Sequence, residues 1–253
     1  MNQYIQDAIT WAPFFGHGAL ITIVTAVISM ALSMLVGLLV ALGRITRGGG
    51  VLRVMRLILR AYVETLRGLP LIVTLFLIYF GLPSVGVTIR DPLVAGVLGL
   101  TLCIGAYQSE VFRAAILAID KGQMEAALAF GMSGYRAYRH IVLPQAMLVA
   151  VPTLGGYFIG LLKDTSLLSF ISVTELMQTA NNLVSATFRA FEIYLMVGAI
   201  YLVLSFSSAW LVAIVERRLR PLETALTGGR LSNIGAGAPA PDFSEGVGPL
   251  FRT

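Results

Sequence analysis

The amino-acid sequence predicts an all-α integral membrane protein with about five transmembrane helices. Of its 253 residues, 57% are hydrophobic and only 12% are charged, whereas about 25% of residues are charged in an ordinary soluble domain. The mean hydropathy is +0.84, and the 18 lysines and arginines are clustered between long apolar runs. A chain with so few charges cannot cover a water-soluble globule with polar groups, so we expect its surface to face lipid.

Five apolar stretches have about the length that a helix needs to cross a bilayer, which is roughly 20 residues. The first is uncharged from Ala19 to Gly43 and no Lys or Arg precedes it, so it predicts a permanent span rather than a cleaved signal peptide. The second contains Pro70 and Pro83, so we expect its helix to end near Gly81, after an amphipathic extension over residues 53–66. The predicted spans are residues 19–43, 68–89, 92–112, 143–163 and 193–215.

The basic residues predict the orientation of the chain, because cytoplasmic loops of membrane proteins are enriched in Lys and Arg. With the N-terminus outside and the C-terminus in the cytoplasm, only three of the 18 basic residues fall in outer segments, namely Arg90, Lys163 and Arg189. We therefore expect residues 1–18 to form an external N-terminal segment and residues 19–222 to form the transmembrane domain. Residues 223–253 are rich in Gly, Pro, Ser and Ala and predict a disordered cytoplasmic tail.

The composition argues against several other classes of protein. The net charge is +5, but the basic residues flank apolar spans without interleaved aromatic residues, so we expect no nucleic-acid partner. The single Cys103 cannot form an internal disulfide, and the isolated His17 and His140 do not suggest a metal site. Gly48–Gly50 is not followed by Gly-Lys-Ser/Thr, so the chain is not expected to hydrolyse ATP. We predict no catalytic residue, no metal and no cofactor bound by this chain.

The segment between the third and fourth spans has the most specific pattern. Glu125-Ala126-Ala127-Leu128-Ala129-Phe130-Gly131 is followed, nine residues later, by Ile141-Val142-Leu143-Pro144. Residues 122–132 predict a helix that is too short to span the membrane and is kept slim by its alanines, with Gly131 near the expected helix terminator. Pro144 suits the first turn of the next span, where its missing N–H costs nothing.

This segment resembles the signature loop of the permease subunits of ATP-binding-cassette (ABC) importers. The spacing matches that signature at every defined position, which are Glu125, Ala126, Ala127, Gly131, Ile141, Leu143 and Pro144. The resemblance covers about residues 15–222 and implies the type I importer permease fold for the membrane domain. It also implies that residues 121–144 are a coupling loop that docks into a separate ATPase subunit.

Three further segments resemble the polar amino-acid uptake subfamily of these permeases. They are residues 67–83, which begin Arg67-Gly68-Leu69-Pro70, residues 106–113 and residues 163–167. Two positions depart from the usual pattern, since Gln108 stands where a small residue is common and Leu69 where threonine is frequent. These departures weaken any assignment of the exact amino acid.

The resemblance implies a multi-pass subunit of the bacterial inner membrane that imports polar amino acids. Its implied protein partners are an ATPase subunit that binds ATP and magnesium, a second permease protomer (identical or paralogous) and an external substrate-binding protein. Its other implied partners are membrane lipid and the polar amino acid that it transports. An ion-gradient-driven secondary amino-acid transporter is the alternative, although we find no internal repeat of the kind common in such transporters. A membrane enzyme would need a cluster of catalytic groups at one depth, and the sequence shows none.

Charged residues in the third span are candidates for the substrate pathway, because each costs about 2.5–3.5 kcal/mol on membrane-insertion scales. Glu110 and Arg113 lie three residues apart on one helical face, so they can pair. Either this pair stabilises the helix bundle, or Glu110 faces the pathway and meets a substrate ammonium group. The second hypothesis predicts that Glu110→Gln weakens transport more than expression.

The end of the fourth span provides the other candidate pathway residues, Asp164, Thr165 and Ser166. These residues either anchor the helix end at the membrane interface, where charged groups reach water, or line the pathway and form a gate. In the same span, Gly156 and Gly160 have the spacing that lets two membrane helices pack closely. We therefore assign the two glycines to packing.

Overall fold

The computed structural model describes residues 2–46 and 48–227, and within these ranges it contains helices and no strand. Its α-helices, numbered in chain order, are α1 (Asn2–Ile45), α2 (Val51–Gly68), α3 (Leu71–Phe76), α4 (Pro92–Ala118), α5 (Lys121–Ala129), α6 (Gly134–Ala137), α7 (Leu143–Asp164), α8 (Leu176–Thr187) and α9 (Ala190–Thr227). Wider π-helical turns occupy Leu77–Gly81 and Tyr138–Val142, and tighter 3₁₀ turns occupy Leu82–Val85 and Thr165–Ile171.

The predicted set of about five spans is confirmed, with one of them bent. Four segments of the described chain are long and apolar enough to cross a membrane, namely Ile9–Ile45, Pro92–Ala118, Gly134–Ile171 and Ala190–Leu219. The fifth is a pair, Val51–Gly68 and Leu71–Val85, whose axes are bent by 113°. Leu69, at the bend, has φ −95° and ψ 140°, because Pro70 disfavours the helical conformation of the residue before it. As expected, the α- and π-helical part of this pair ends at Gly81.

The first and last helices extend beyond the predicted boundaries. Helix α1 begins at Asn2 rather than near residue 19, and its apolar candidate span begins at Ile9. Helix α9 continues to Thr227, five residues past the predicted domain end at residue 222. Residues 228–253 of the predicted tail lie outside the described residues. The external position of residues 1–18 and the cytoplasmic position of the tail stay predictions.

Helices α1 and α4 pack most closely, because glycines face each other across their interface. A Cβ atom on Gly37 would lie 3.1 Å from the carbonyl oxygen of Gly105 and 3.0 Å from Cβ of Gln108, so no side chain fits there. Gln108 is fully buried against α1, with Nε2 3.2 Å from Sδ of Met30. Helix α7 completes this core with Ala146, Ala150 and Leu154.

Two further apolar clusters position the remaining elements. Leu75, Leu100 and Leu161 join the bent span to α4 and α7, and Leu168 adds the 3₁₀ turn after α7. At the N-terminal end of α1, a separate cluster joins α1 to α8 and α9 through Trp11, Phe15, Leu176, Ile193 and Val197. The bend after α2 is therefore held beside the middle of α4 and the C-terminal half of α7.

Candidate substrate cavity and coupling loop

A cavity of about 500 Å³ lies between the bend after α2, helix α4 and helix α7. Its volume falls in the range of about 300–1,000 Å³ that is usual for small-molecule sites. The lining is mostly apolar with a few polar groups: Leu69, Leu71, Cys103, Ile104, Tyr107, Thr153, Gly156, Tyr157, Gly160, Leu161, Asp164 and Leu167. An amino acid is small enough to fit in this space.

Of the three residues predicted at the end of the fourth span, Asp164 lines the cavity and the other two do not. The Thr165 hydroxyl is buried and donates to the carbonyl oxygen of Leu162 at 2.8 Å. The Ser166 hydroxyl donates to the carbonyl oxygen of Lys163 at 2.7 Å. Both hydroxyls are therefore bonded to the backbone of the preceding turn, and Asp164 provides the carboxylate of the cavity.

Gly156 and Gly160 make no close contact with another helix of the described chain, so their predicted packing role stays a prediction. Apart from their own helix backbone and chain neighbours, no described atom lies within 4 Å of a Cβ built on either glycine, and both line the cavity. Within this chain a close helix contact is made by Gly155, where a Cβ would clash with Cγ1 of Val212 on α9. The two faces of α7 therefore use small residues differently, one to open the cavity and one to approach α9.

Two tyrosines form an aromatic wall of the cavity that sequence reasoning did not select. The ring centroids of Tyr107 on α4 and Tyr157 on α7 are 6.2 Å apart. The Tyr107 hydroxyl donates to the carbonyl oxygen of Arg67 at 3.1 Å, and the Arg67 guanidinium carbon lies 5.6 Å from the Tyr107 ring centroid. The signal for Tyr107 was its place in the motif over residues 106–113, whereas no pattern marked Tyr157.

Glu110 and Arg113 pair as their spacing allows, with 2.7 Å between Oε2 of Glu110 and Nε of Arg113. A second arginine, Arg44 at the end of α1, binds the other carboxylate oxygen of Glu110. Neither Glu110 nor Arg113 is among the residues that line the cavity. The Glu110 carboxylate therefore connects α1 to α4 instead of facing that cavity.

The residues that the sequence predicts to form the coupling loop contain a short capped helix, α5. The Asp120 carboxylate caps the start of α5 by accepting from the Gly122 N–H at 2.8 Å. Gly131 ends the helix with φ +79°, and the N–H groups of Gly131 and Met132 donate to the carbonyls of Leu128 and Ala127. This pattern is the Schellman termination that favours glycine, so the expected terminator at Gly131 is confirmed.

The surface of α5 presents both polar and apolar side chains. Glu125 and Ala126 are exposed, whereas Ala127 is buried against the rest of the loop. Leu128 is 47% exposed and Phe130 is 89% exposed. Helix α5 and its C-terminal end therefore expose an apolar pair, Leu128 and Phe130, beside the carboxylate of Glu125.

The second half of the loop enters α7 through a π-helical turn. Pro144 stands in the first turn of α7 as expected, but the chain is already helical from Tyr138 to Val142. The Leu143 N–H donates to the carbonyl of Tyr138, five residues back, and this wider turn precedes a proline that cannot donate. Ile141 and Leu143 are half-buried, and Pro144 is exposed.

Glu175 is a buried carboxylate that sequence reasoning missed. It caps α8 by accepting from the N–H groups of Met177 and Gln178, and it also accepts from the hydroxyls of Thr22 and Tyr201. Burial raises the pKa of the Glu175 carboxyl above its ordinary value, although the four hydrogen bonds oppose this shift. The available signal was an acidic residue just before a helix, which is the N-cap pattern.

The helices, the cavity and the capped coupling loop together describe a membrane transport subunit. Residues 33–221 match the protein family described as "Binding-protein-dependent transport system inner membrane component". The chain therefore belongs to this family and is a multi-pass inner-membrane permease subunit of the ABC importer type. In this family ATP hydrolysis occurs in separate ATPase subunits, and membership implies an ATPase and a substrate-binding protein as partners.

Individual relatives are similar over most of their length. The chain is 39% identical over 207 residues to the "Probable amino-acid permease protein YxeN" of Bacillus subtilis (strain 168), covering 81% of this chain and 91% of the relative. It is 35% identical over 211 residues to the "Glutamine transport system permease protein GlnP" of Escherichia coli (strain K12), covering 83% of this chain and 94% of the relative.

Solved structures agree with the expected permease fold. A chain of the "Crystal structure of an amino acid ABC transporter with histidines" is 35% identical, with a TM-score of 0.76 and coverage of 84% of this chain and 97% of that chain. A chain of the structure titled "Inward facing conformations of the MetNI methionine ABC transporter: CY5 native crystal form" is 22% identical with a TM-score of 0.68, covering 83% of this chain and 97% of that chain, which shows the fold alone. The all-α permease fold predicted from the sequence is confirmed.

Proposed function

We propose that this chain is the permease subunit of an importer for polar amino acids and that the cavity between α4 and α7 receives the substrate. The observation that carries this proposal is the Asp164 carboxylate in the wall of a mostly apolar cavity of about 500 Å³. A free amino acid carries an ammonium group, and a carboxylate within a membrane domain is well placed to bind it. The relative named for glutamine transport concerns a substrate with such a group.

Arg67 provides the complementary charge for the substrate carboxylate. Its guanidinium lies over the Tyr107 ring, and Tyr107 is part of the cavity wall. Arginine binds a carboxylate through two parallel N–H groups, so a zwitterion placed between Asp164 and Arg67 would have both charges matched. Leu69, Ile104 and Leu161 would contact the uncharged part of the substrate.

The coupling loop transmits movement from the ATPase to the cavity. Helix α5 follows α4 after only Ile119 and Asp120, and the loop continues without a break in helical structure from Gly134 into α7. Residues of both α4 and α7 line the cavity. Displacement of α5 by a closing ATPase would therefore move α4 and α7 relative to each other.

A second permease protomer and an external binding protein complete the assembly that we propose. Five spans are too few to surround a gated pathway alone, and the apolar surface of α9 is largely exposed along its length. The binding protein would deliver the substrate on the side opposite α5. Two protomers would give two coupling helices, one for each ATPase subunit.

Co-reconstitution tests this function directly. The chain, its candidate ATPase and its binding protein would be placed in liposomes, and ATP hydrolysis and uptake of labelled amino acids would be measured together. We expect the binding protein with substrate to stimulate hydrolysis, and we expect Glu125→Ala and Gly131→Asp to abolish this stimulation. Gly131→Asn is the matched control, because asparagine tolerates positive φ, and it should keep most of the coupling.

Two results would contradict the proposal. If the Glu125→Ala and Gly131→Asp variants coupled ATP hydrolysis to uptake as well as the wild type does, the loop would have no role in coupling. Uptake that persists without the ATPase, and that stops when a proton or sodium gradient is collapsed, would favour the secondary-transporter alternative instead.

A further inference from the structure

We propose that arginines at the junction of α1, α2 and α4 form a binding site for the phosphate headgroup of an anionic phospholipid. A second cavity, of about 850 Å³, lies at this junction. Five of its eight lining residues are arginines, namely Arg44, Arg53, Arg56, Arg60 and Arg113, and the others are Ile45, Leu57 and Leu117. This inference depends on the membrane location of the chain and not on which substrate it carries.

The arginines exceed the carboxylates that are available to neutralise them. Glu110 pairs with Arg44 and Arg113, and Glu64 pairs with Arg60 at 3.7 Å in an exposed position. Arg56 donates to the carbonyls of Leu52 and Gly48, and these bonds do not neutralise its charge. Among the described residues, five guanidinium groups against two paired carboxylates leave an excess of three positive charges around the cavity. A phosphate bound there would offset this excess through charge-assisted hydrogen bonds.

Helix α2 also offers an apolar surface for the acyl chains of the same molecule. Val51, Val54 and Ile58 are 84%, 58% and 62% exposed, although they alternate with arginines along the helix. A neighbouring shallow groove of about 400 Å³ is lined by Val51, Val54, Met55, Ile58 and Leu59. A basic helix with an exposed apolar face is typical of a helix that lies in the membrane interface.

The combination of these two surfaces favours a lipid over a soluble anion or an acidic protein. A free phosphate would use the arginines and leave the apolar groove exposed to water. Basic pockets between membrane helices are known to bind the headgroups of anionic lipids. The site therefore matches a phospholipid whose phosphate contacts the arginine cavity and whose chains follow α2.

The test uses the full-length chain, purified in detergent and stripped of lipid. Native mass spectrometry would count the bound lipid as dioleoylphosphatidylglycerol or dioleoylphosphatidylcholine is added in mixed micelles. We expect preferential binding of phosphatidylglycerol, and about 10- to 30-fold weaker binding by Arg53→Gln/Arg60→Gln. Arg217→Gln/Arg218→Gln is the matched control, because it removes the same charge from exposed positions on α9, and it should bind as the wild type does.

Further arms of the same experiment identify the ligand and guard against unfolding. Arg53→Lys/Arg60→Lys keeps both positive charges, so it should bind phosphatidylglycerol almost as well as the wild type does. Such binding would show that the glutamine variant lost charge and not its fold. If Arg217→Gln/Arg218→Gln lost as much phosphatidylglycerol binding as Arg53→Gln/Arg60→Gln, the lipid would be attracted by general surface charge, and the site would be overturned. Displacement of the lipid by millimolar inorganic phosphate would overturn it in favour of a soluble ligand. Unchanged phosphatidylglycerol binding by Arg53→Gln/Arg60→Gln would overturn the site, and a separate loss of ATPase co-purification by this variant would assign the arginines to a protein contact.

Discussion

Glu110 on α4 and Arg44 at the end of α1 form an ion pair between residues that are 66 positions apart in the chain. Arg113, one turn further along α4, binds the second oxygen of the same carboxylate at 2.7 Å. The side chains of Glu110 and Arg44 are only 20% and 12% exposed. The three charges therefore form a partly buried network that joins two helices, and the loss of its only carboxylate would leave two guanidinium groups facing each other.

The first prediction follows from this network. Glu110→Gln should lower the free energy of unfolding by about 2 kcal/mol, because removing one partner leaves partly buried charges uncompensated. We expect the amount of folded protein, measured by fluorescence-detected size exclusion after heating, and the total uptake to fall together, so that transport per folded molecule stays near the wild-type value.

Glu64→Gln is the control, because its pair with Arg60 is exposed and contributes little. A Glu110→Gln protein that is fully stable but transports poorly would instead favour direct contact between Glu110 and the substrate.

The second prediction concerns Asp164. Asp164→Asn removes the carboxylate of the cavity while keeping the size of the side chain, so we expect uptake to fall by about tenfold or more if the substrate ammonium is bound there. Thermal stability should stay near the wild-type value. Ser166→Ala is the control, since its hydroxyl bonds to the backbone of Lys163 and should leave uptake unchanged. Normal uptake by Asp164→Asn would exclude Asp164 as the substrate ligand.

The third prediction compares two glycines on α7. Gly160→Val places a side chain in the cavity, where nothing lies within 4 Å of its Cβ, so we expect lower uptake with unchanged stability. Gly155→Val meets Val212 of α9, and overpacking of this kind costs about 1–3 kcal/mol. Thermal unfolding should therefore separate the variants, with a lower midpoint for Gly155→Val and an unchanged one for Gly160→Val. Uptake per folded molecule should fall in Gly160→Val. A stable Gly155→Val protein would contradict the close contact between α7 and α9.

The fourth prediction is a pH dependence that comes from Glu175. Burial raises the folded-state pKa of this carboxyl above its ordinary value of 4.5, so the folded state binds the proton more tightly than the unfolded chain. The contribution to stability is then fully present below pH 4.5, and it is lost as the pH rises through the raised folded pKa.

Unfolding midpoints between pH 4.5 and 8 would measure this effect. Glu175→Gln should have a lower midpoint throughout, because it replaces one of the two accepting oxygens by an NH₂ donor that faces an N–H group, and it should lack the pH-dependent part. Glu192→Gln is the control, since its partner Arg189 lies on the same surface turn. An unaltered pH profile in Glu175→Gln would show that another group titrates.

Local sequence was sufficient to predict the features that depend on a few neighbouring residues. The uncharged run from Ala19 to Gly43 predicted a span, Pro70 and Pro83 predicted a helix end near Gly81, and Gly131 predicted the end of the coupling helix. Each of these outcomes follows from hydrophobic length or from backbone preferences within one or two turns. The family signature over residues 125–144 is equally local, which explains why the class of protein was recognisable from the sequence.

The tertiary structure alone decided which side chains face which partners. Glu110 meets Arg44, Glu175 meets Thr22 and Tyr201, and Gly160 opens a cavity while Gly155 contacts α9. These relationships depend on how far each helix is rotated and where it crosses its neighbours, and a rotation of one residue, about 100°, changes the face presented. Composition and spacing along one helix do not specify that rotation. It is determined by the packing of distant segments, such as the glycine contact between α1 and α4.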